Sequence, residues 1–360
     1  MGQRAAYVLA LLAAIGLNHA VAQQGQPPTA YGVLYKEWKA EVIALEEVVP
    51  RLPGAEKRDK KRNINSQYTP RFLKLARQHL NDDLWLDCLI WMSVEGTPGE
   101  SFDEMFDVLR DNAKDVRNTT QLQLLMSEFI KLQSERINPA LSSIAENHGD
   151  AGVRGAALYS LAARTKRRAE EHCDAKGCAT AERLLERVIA EYPTVITYRG
   201  ENLENATALL DELRSPVAIT KAAPDTQGKT ISGDDFDLTE AIRGKVAVIS
   251  FSGHWCGPCV AMHPIQKEII STFPEETVVV EMNSDASDSL EKVRGKIKSD
   301  GLDWIVVADG SDGPIAEQWR ISSWPTYFVV DSDGRIRRRV SGNCGRQLIT
   351  WVEELLPKSE

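Results

Sequence analysis

From Tyr31 to about Leu213, apolar residues recur at three- and four-residue spacing with few Gly or Pro breaks. That period gives each segment one inward face, so the stretch predicts successive amphipathic helices. Leu84, Cys88, Trp91 and Met92 make one such stripe, which reads Cys88 as a core thiol. Leu75-Ala76, Val108-Leu109, Ile144-Ala145 and Ile189-Ala190 recur in similar settings, and Leu75, Leu109, Ile144 and Ile189 lie 34, 35 and 45 residues apart. Helix-hairpin repeats have periods in that range and bury their faces by stacking. The expectation is an all-α helical-hairpin domain over 31–213, although a plain bundle answers the same pattern.

The period changes after a linker at 214–225. Val246–Phe251, Val278–Met282, Trp304–Ala308 and Tyr327–Val330 are short β-rich runs. Helical stretches separate them at Val260–Phe273, Asp288–Ser299 and Pro314–Trp319, and Arg346–Leu356 closes the chain as an amphipathic helix. Asp331-Ser332-Asp333-Gly334 reads as a hairpin turn into Arg335–Val340. Strands alternating with helices predict an α/β domain over 226–360, a sheet with helices on both faces.

The 360 residues allow two domains, and 42% hydrophobic with 26% charged is an ordinary globular balance. A net charge of -9 argues against nucleic acid as the main partner. Lys57–Arg62 reads as a solvated loop, and Arg337-Arg338-Arg339 as an exposed strand whose charge discourages edge pairing. At the N-terminus, Arg4 precedes an apolar run from Ala5 to Leu17, then the small-x-small site Ala20-Val21-Ala22. This is the pattern of a cleaved signal over 1–22, followed by a polar leader at 23–30. An uncleaved anchor is the alternative. No other stretch is long and apolar enough to span a bilayer. The expectation is a periplasmic or secreted protein with no stable membrane span after cleavage, in a compartment where disulfides persist.

The cysteines carry the chemistry. Trp255-Cys256-Gly257-Pro258-Cys259 follows the Val246–Phe251 run and opens a helical stretch. Two cysteines at that spacing can open and close one disulfide without moving the backbone. A thiol at a helix start meets unpaired N–H groups and the positive dipole end, which favour the reactive thiolate. Half of a zinc site is the competing reading, but no second C-x-x-C completes four ligands, so no metal and no cofactor is expected. Cys173 and Cys178 flank a turn, and a structural disulfide there would contribute about 2 kcal/mol. A redox relay, or a metal site with His172, is the alternative. Cys344 reads as a free or half-buried thiol.

These residues resemble the thioredoxin superfamily, in its extracytoplasmic TlpA/ResA-like and redoxin branch. Trp255-Cys256-Gly257-Pro258-Cys259 matches the active-site motif, Pro264 the helix-kinking proline, and Trp324-Pro325-Thr326 the cis-proline signature. Lys221–Asp225 through Arg243–Lys245 looks like the opening hairpin of such members. The resemblance covers roughly 220–360 and implies dithiol–disulfide exchange through a redox-active Cys256–Cys259 disulfide. Cys256 at the exposed end of the turn would attack, and the more buried Cys259 would resolve the mixed disulfide. Trp255, Gly257, Pro258, Ser323, Trp324 and Pro325 would shape the motif and groove.

Two departures stand out. Ser250 occupies the place of the buried Asp of thioredoxin, and Met262 that of a Glu found in several TlpA/ResA relatives. No carboxylate is then visible to take the proton from Cys259. Water, His254 or His263 could substitute, though each histidine reads more simply as a surface residue. The expected activity is that of a protein-disulfide reductase acting on extracytoplasmic protein thiols and disulfides, supplied by an electron-donor protein. The Gly-Pro pair resembles reducing members. A redoxin-type thiol peroxidase is one rival, weakened by the absence of a threonine in Ser252-Gly253-His254. The other is a helical-repeat module that binds a partner protein, with the redox domain as accessory.

Overall fold

The computed structural model describes residues 29–48, 54–193, 203–311 and 313–357. The expected signal at 1–22, and the leader up to residue 28, lie outside the described residues. Contacts divide the chain into two compact units, one ending at Thr165 and adding Thr180–Leu210, the other made of Lys166–Ala179 and Asp211 onward. No described helix is long and apolar enough to cross a membrane.

The first region is all-helical. Its helices are α1 (Ala30–Val48), α2 (Gly54–Gln78), α3 (Leu84–Glu95), α4 (Glu100–Asn112), α5 (Thr119–Phe129), α6 (Ile137–Asn147), α7 (Ala151–Glu171), α8 (Ala175–Glu191) and α9 (Leu203–Arg214). Helix α2 packs on α3 and α4, α3 on α5, and α4 on α6, so contacts run to the next helix and the next but one. That is how stacked hairpins share a core. Phe72 stacks on Trp91 at 3.9 Å between ring centroids, and Trp38 meets Trp91 edge-on at 5.5 Å. Cys88 is fully buried beside them, and burial pushes its thiol well up. The Lys57–Arg62 run is a correction: it is not a loop but part of the solvent-exposed first turns of α2, where Lys60 pairs with Glu56 one turn back. Unbroken charge hides helical period from a sequence reading, because no apolar stripe marks the face.

The second region is the mixed sheet. A short hairpin, β1 (Gln227–Lys229) with β2 (Asp235–Asp237), leads through α10 (Leu238–Ala241) into β3 (Val246–Ser252). Then come α11 (Gly257–Val260), α12 (His263–Thr272), β4 (Thr277–Asn283), α13 (Leu290–Asp300), β5 (Ile305–Ala308), α14 (Pro314–Gln318), β6 (Thr326–Val330), β7 (Ile336–Ser341) and α15 (Gln347–Glu353). The sheet order is β5-β4-β3-β6-β7. Strands β3, β4 and β5 run parallel, while β6 is antiparallel to β3 and to β7. Every residue of central β3 is buried, which is why it reads as a continuous apolar run rather than an alternation.

Each face of the sheet has its own core. Ala247, Ile249, Phe251, Val280, Met282, Phe328 and Val330 pack with Ile315 and Trp319. On the other side Val246, Val248, Val279, Tyr327 and Val329 pack with Met262, Ile269, Leu348 and Val352. A fully buried side chain of this size is worth about 1.5–3 kcal/mol. Ser250 pairs with Glu281 of β4 and with Tyr327 of β6, so those three share the second face. The expected helix over 260–273 is in fact two. Pro264 has no N–H to continue the ladder, so α11 ends after one turn and α12 restarts at His263.

Candidate active site

Strand β3 ends at Ser252, and the chain turns through Gly253 and His254 into the cysteine motif. A Cβ on Gly253 would lie 2.5 Å from the indole nitrogen of Trp255, so only glycine lets that ring fold back over the turn. Trp255 is nevertheless 61% exposed, the most open large apolar side chain described. Cys256 is the N-cap residue of α11, and its sulfur accepts from Cys259 N–H at 3.3 Å. Cys256 and Cys259 are joined as a disulfide, with Cα atoms 5.2 Å apart. Cys256 is 6% exposed and Cys259 fully buried, so both sulfurs are largely covered and Cys256 is the more accessible. Gly257 and Pro258 are exposed beside them.

The loop before β6 forms the neighbouring wall. The Trp324–Pro325 peptide is cis, and the Trp324 ring meets Trp255 edge-on at 6.0 Å. Trp324 Nε1 donates to Ser284 Oγ at 2.9 Å, which ties this wall to the end of β4. Ser323 is exposed, and its carbonyl accepts from the Thr326 hydroxyl at 2.8 Å. Pro325 is buried, and its carbonyl accepts from Gly342 N–H at 2.7 Å. The structure thus gathers Trp255, Cys256, Gly257, Pro258, Cys259 and the Ser323–Pro325 loop around one surface.

Behind the motif lies a polar cluster that the sequence reading missed or misplaced. His254 and His263 are not surface residues. The His254 side chain is only 8% exposed and His263 is 6% exposed. Asp285 explains the first: its Oδ2 accepts from the His254 backbone N–H at 2.8 Å and from Asn283 Nδ2 at 2.9 Å, and lies 3.3 Å from His254 Nδ1. His254 Nε2 is buried without a hydrogen-bond partner. His263 packs edge-on against Trp304 at 5.6 Å and against His254 at 6.2 Å. Burial first, and then His254, lower its pKa to about 4.

Glu281 was not foreseen at all. It is 1% exposed, in the interior of β4. Trp304 Nε1 donates to its Oε2 at 3.1 Å, and Asn283 Nδ2 lies 3.5 Å from Oε1. Burial pushes its carboxyl up against the opposing pull of the Trp304 donor. A signal was present: one acid interrupts the run Val278-Val279-Val280, and a parallel strand inside a sheet is buried on both faces. Ser250 is fully buried too, and accepts from Gln266 Nε2 of α12 at 3.2 Å.

The Cys173–Cys178 bridge is a second correction, because both are free thiols here. Cys173 takes a left-handed backbone at φ 51 just past α7, while Cys178 already belongs to α8. The Cys173 sulfur is otherwise engaged: it donates to Arg337 O at 3.4 Å and accepts from Arg338 Nη1 at 3.2 Å. Cys344 is a free, half-buried thiol raised by burial. Among the described residues no group of three His, Cys, Asp or Glu is placed to hold a metal ion.

A family model described as Redoxin matches residues 218–345. Over those residues the chain is similar to the Redoxin family. Its relatives include the thiol-disulfide oxidoreductase ResA of Bacillus thuringiensis subsp. konkukian, 28% identical over 146 residues, an alignment covering 39% of this chain and 79% of that protein. ResA of Bacillus subtilis is 29% identical over 137 residues, covering 38% of this chain and 72% of that one. Among solved structures, a thiol-disulfide oxidoreductase from Bacteroides fragilis aligns at 24% identity with a TM-score of 0.34, over 38% of this chain and all of its own. The redoxin match starts at residue 218 and leaves the helical region outside it.

Proposed function

We propose that this protein is an extracytoplasmic thiol–disulfide oxidoreductase that reduces disulfides of other proteins through Cys256 and Cys259. The observation that carries the reading is the bonded Cys256–Cys259 pair at a strand-to-helix turn, with exposed Trp255 above it and the Trp324–Pro325 loop alongside. In the reduced protein the Cys256 thiolate attacks a substrate disulfide. One substrate sulfur leaves as thiolate and the other stays bonded to Cys256. Cys259 then attacks Cys256, releases the second sulfur and closes the disulfide seen here. An electron-donor protein must reopen it, since an oxidising compartment does not. The extracytoplasmic assignment rests on the signal-like pattern of 1–22.

Reduction of insulin disulfides tests this. Cys256→Ser abolishes turnover. Cys259→Ser retains the first attack and accumulates mixed disulfides through Cys256. Wild-type turnover by Cys259→Ser rejects the two-cysteine mechanism.

A further inference from the structure

Cys259 is fully buried, and the resolving step requires it to lose a proton. Neither short helix around it supplies a carboxylate at the right place, because Met262 stands one turn on and packs into apolar core. Two routes lead instead to Glu281. His263, one turn beyond Cys259, packs on Trp304, whose indole N–H donates to Glu281 Oε2. Gln266, on the next turn of α12, donates to Ser250, which is the β3 partner of Glu281 in the sheet register. A carboxyl buried in the interior of a strand costs free energy unless it is fully hydrogen-bonded. Glu281 has one short hydrogen bond, to an indole, and the nearby His254 Nε2 has no partner. Packing alone gives no reason for an acid at this position.

We propose that Glu281 is the proton acceptor for Cys259, set on β4 behind the cysteine turn. The proposal rests on the dithiol reading above and deepens it. As the mixed disulfide resolves, the Cys259 S–H bond breaks and its proton goes to the Glu281 carboxylate. The Cys259 sulfur bonds to the Cys256 sulfur, the Cys256–substrate S–S bond breaks, and its electron pair leaves on the substrate sulfur, which takes a proton from water. When the donor protein reopens the disulfide, Glu281 returns the proton to Cys259. The charged and titratable groups facing Glu281 are His254 from the turn after β3, Asp285 after β4 and Tyr327 on β6, while His263 on α12 packs against His254 and Trp304. His263 in turn feels Asp300, Lys267 and Lys296. Held down to about 4, His263 stays neutral at neutral pH and is a poor acceptor itself.

The test follows the full-length protein, reduced, reacting in stopped flow with a bis(nitrobenzoate) disulfide that releases one coloured thiolate per step. The first, bimolecular release reports Cys256; the second, unimolecular release reports resolution by Cys259. Glu281→Gln leaves the first phase unchanged. Its second phase slows on the order of 100-fold at about pH 6, and then recovers with rising pH roughly tenfold per unit as hydroxide takes over. A structural role lowers the second phase by one factor at every pH, and parallel profiles overturn the proposal. Glu281→Asp, which keeps a carboxylate, restores the wild-type shape. Should Glu281→Gln not fold, infrared difference spectra of the wild type with isotope-labelled glutamate decide: a glutamic-acid carbonyl band that changes between dithiol and disulfide supports the proposal, and no change overturns it. A wild-type reaction with no second phase at all has a separate meaning, since it sinks the dithiol reading and this inference with it.

Discussion

The two faces of the five-stranded sheet are built from the same strands and are chemically unlike. One face is dominated by hydrocarbon and aromatic side chains, with Phe251, Trp319 and Phe328 in mutual contact. The other, over which the cysteine turn and α12 close, holds Ser250, Glu281, His263, Gln266 and Tyr327 among its apolar residues. Alternation along β3 and β4 makes this possible, since a strand assigns successive residues to opposite faces. Both faces bury an apolar core, but only one also buries polar and ionisable groups in number. Groups able to hold or pass a proton gather on the side where the sulfurs lie.

That contrast can be broken by mutation. The largest expected effect is on the apolar face: Phe328→Ala leaves a cavity and costs about 3–5 kcal/mol, read as a lowered urea midpoint. The rate at which the folded fraction exchanges disulfides does not change. Equal losses of stability and of exchange rate would erase the distinction between the faces. Next is Trp304→Phe, which keeps the ring against His263 but removes the donor to Glu281. Leaving that buried acceptor short of a partner costs about 1–3 kcal/mol and alters the pH profile of resolution.

The third prediction concerns pH and has a definite sign. The folded state holds His263 at about 4 against an ordinary 6.5, so the unfolded chain takes up the proton first. The stability associated with neutral His263 is full above pH 6.5 and is lost as pH falls toward about 4. Glu281 has the opposite slope. Its carboxyl is raised on folding, so its contribution is full below the ordinary carboxylate range and falls as pH rises through the folded value. Stability measured across this range in His263→Gln loses the acid limb, and an unchanged limb refutes the burial argument for His263. The smallest effect is at the rim, where exposed Arg346 clasps Glu268. Arg346→Ala leaves the unfolding midpoint within error, because solvent already screens the pair.

Much of this domain was legible in the sequence. Strands β3 to β6 lie within a residue or two of their apolar runs, and the Asp331–Gly334 hairpin turn joins β6 to β7 as expected. The cysteine motif and Pro325 announce themselves by residue type and spacing. What stayed hidden depends on long-range burial. Glu281 lies within the span read as β4, yet nothing local says that the strand is flanked on both edges. His254 reads as a surface residue until Asp285, 31 positions later, is folded against it. Cys173 and Cys178 have a spacing that permits a bridge, but spacing does not reveal the left-handed backbone at Cys173 or its sulfur's contacts with β7. The Lys57–Arg62 run was lost for the reverse reason, since the first turns of that helix are exposed on all sides and carry no apolar stripe.

Strand β4 is hydrogen-bonded along both edges, to β3 and to β5. Amides in such a strand exchange with solvent only through large-scale opening, whereas a one-turn helix beside a surface loop opens locally. Any breathing that accompanies opening and closing of the sulfur bond is therefore confined to residues 253–262. Deuterium uptake at neutral pH would rise there on reduction and stay flat across Thr277–Asn283. On the proposed reading, the redox centre then has a mobile half that meets substrate and a still half against which that motion is referenced.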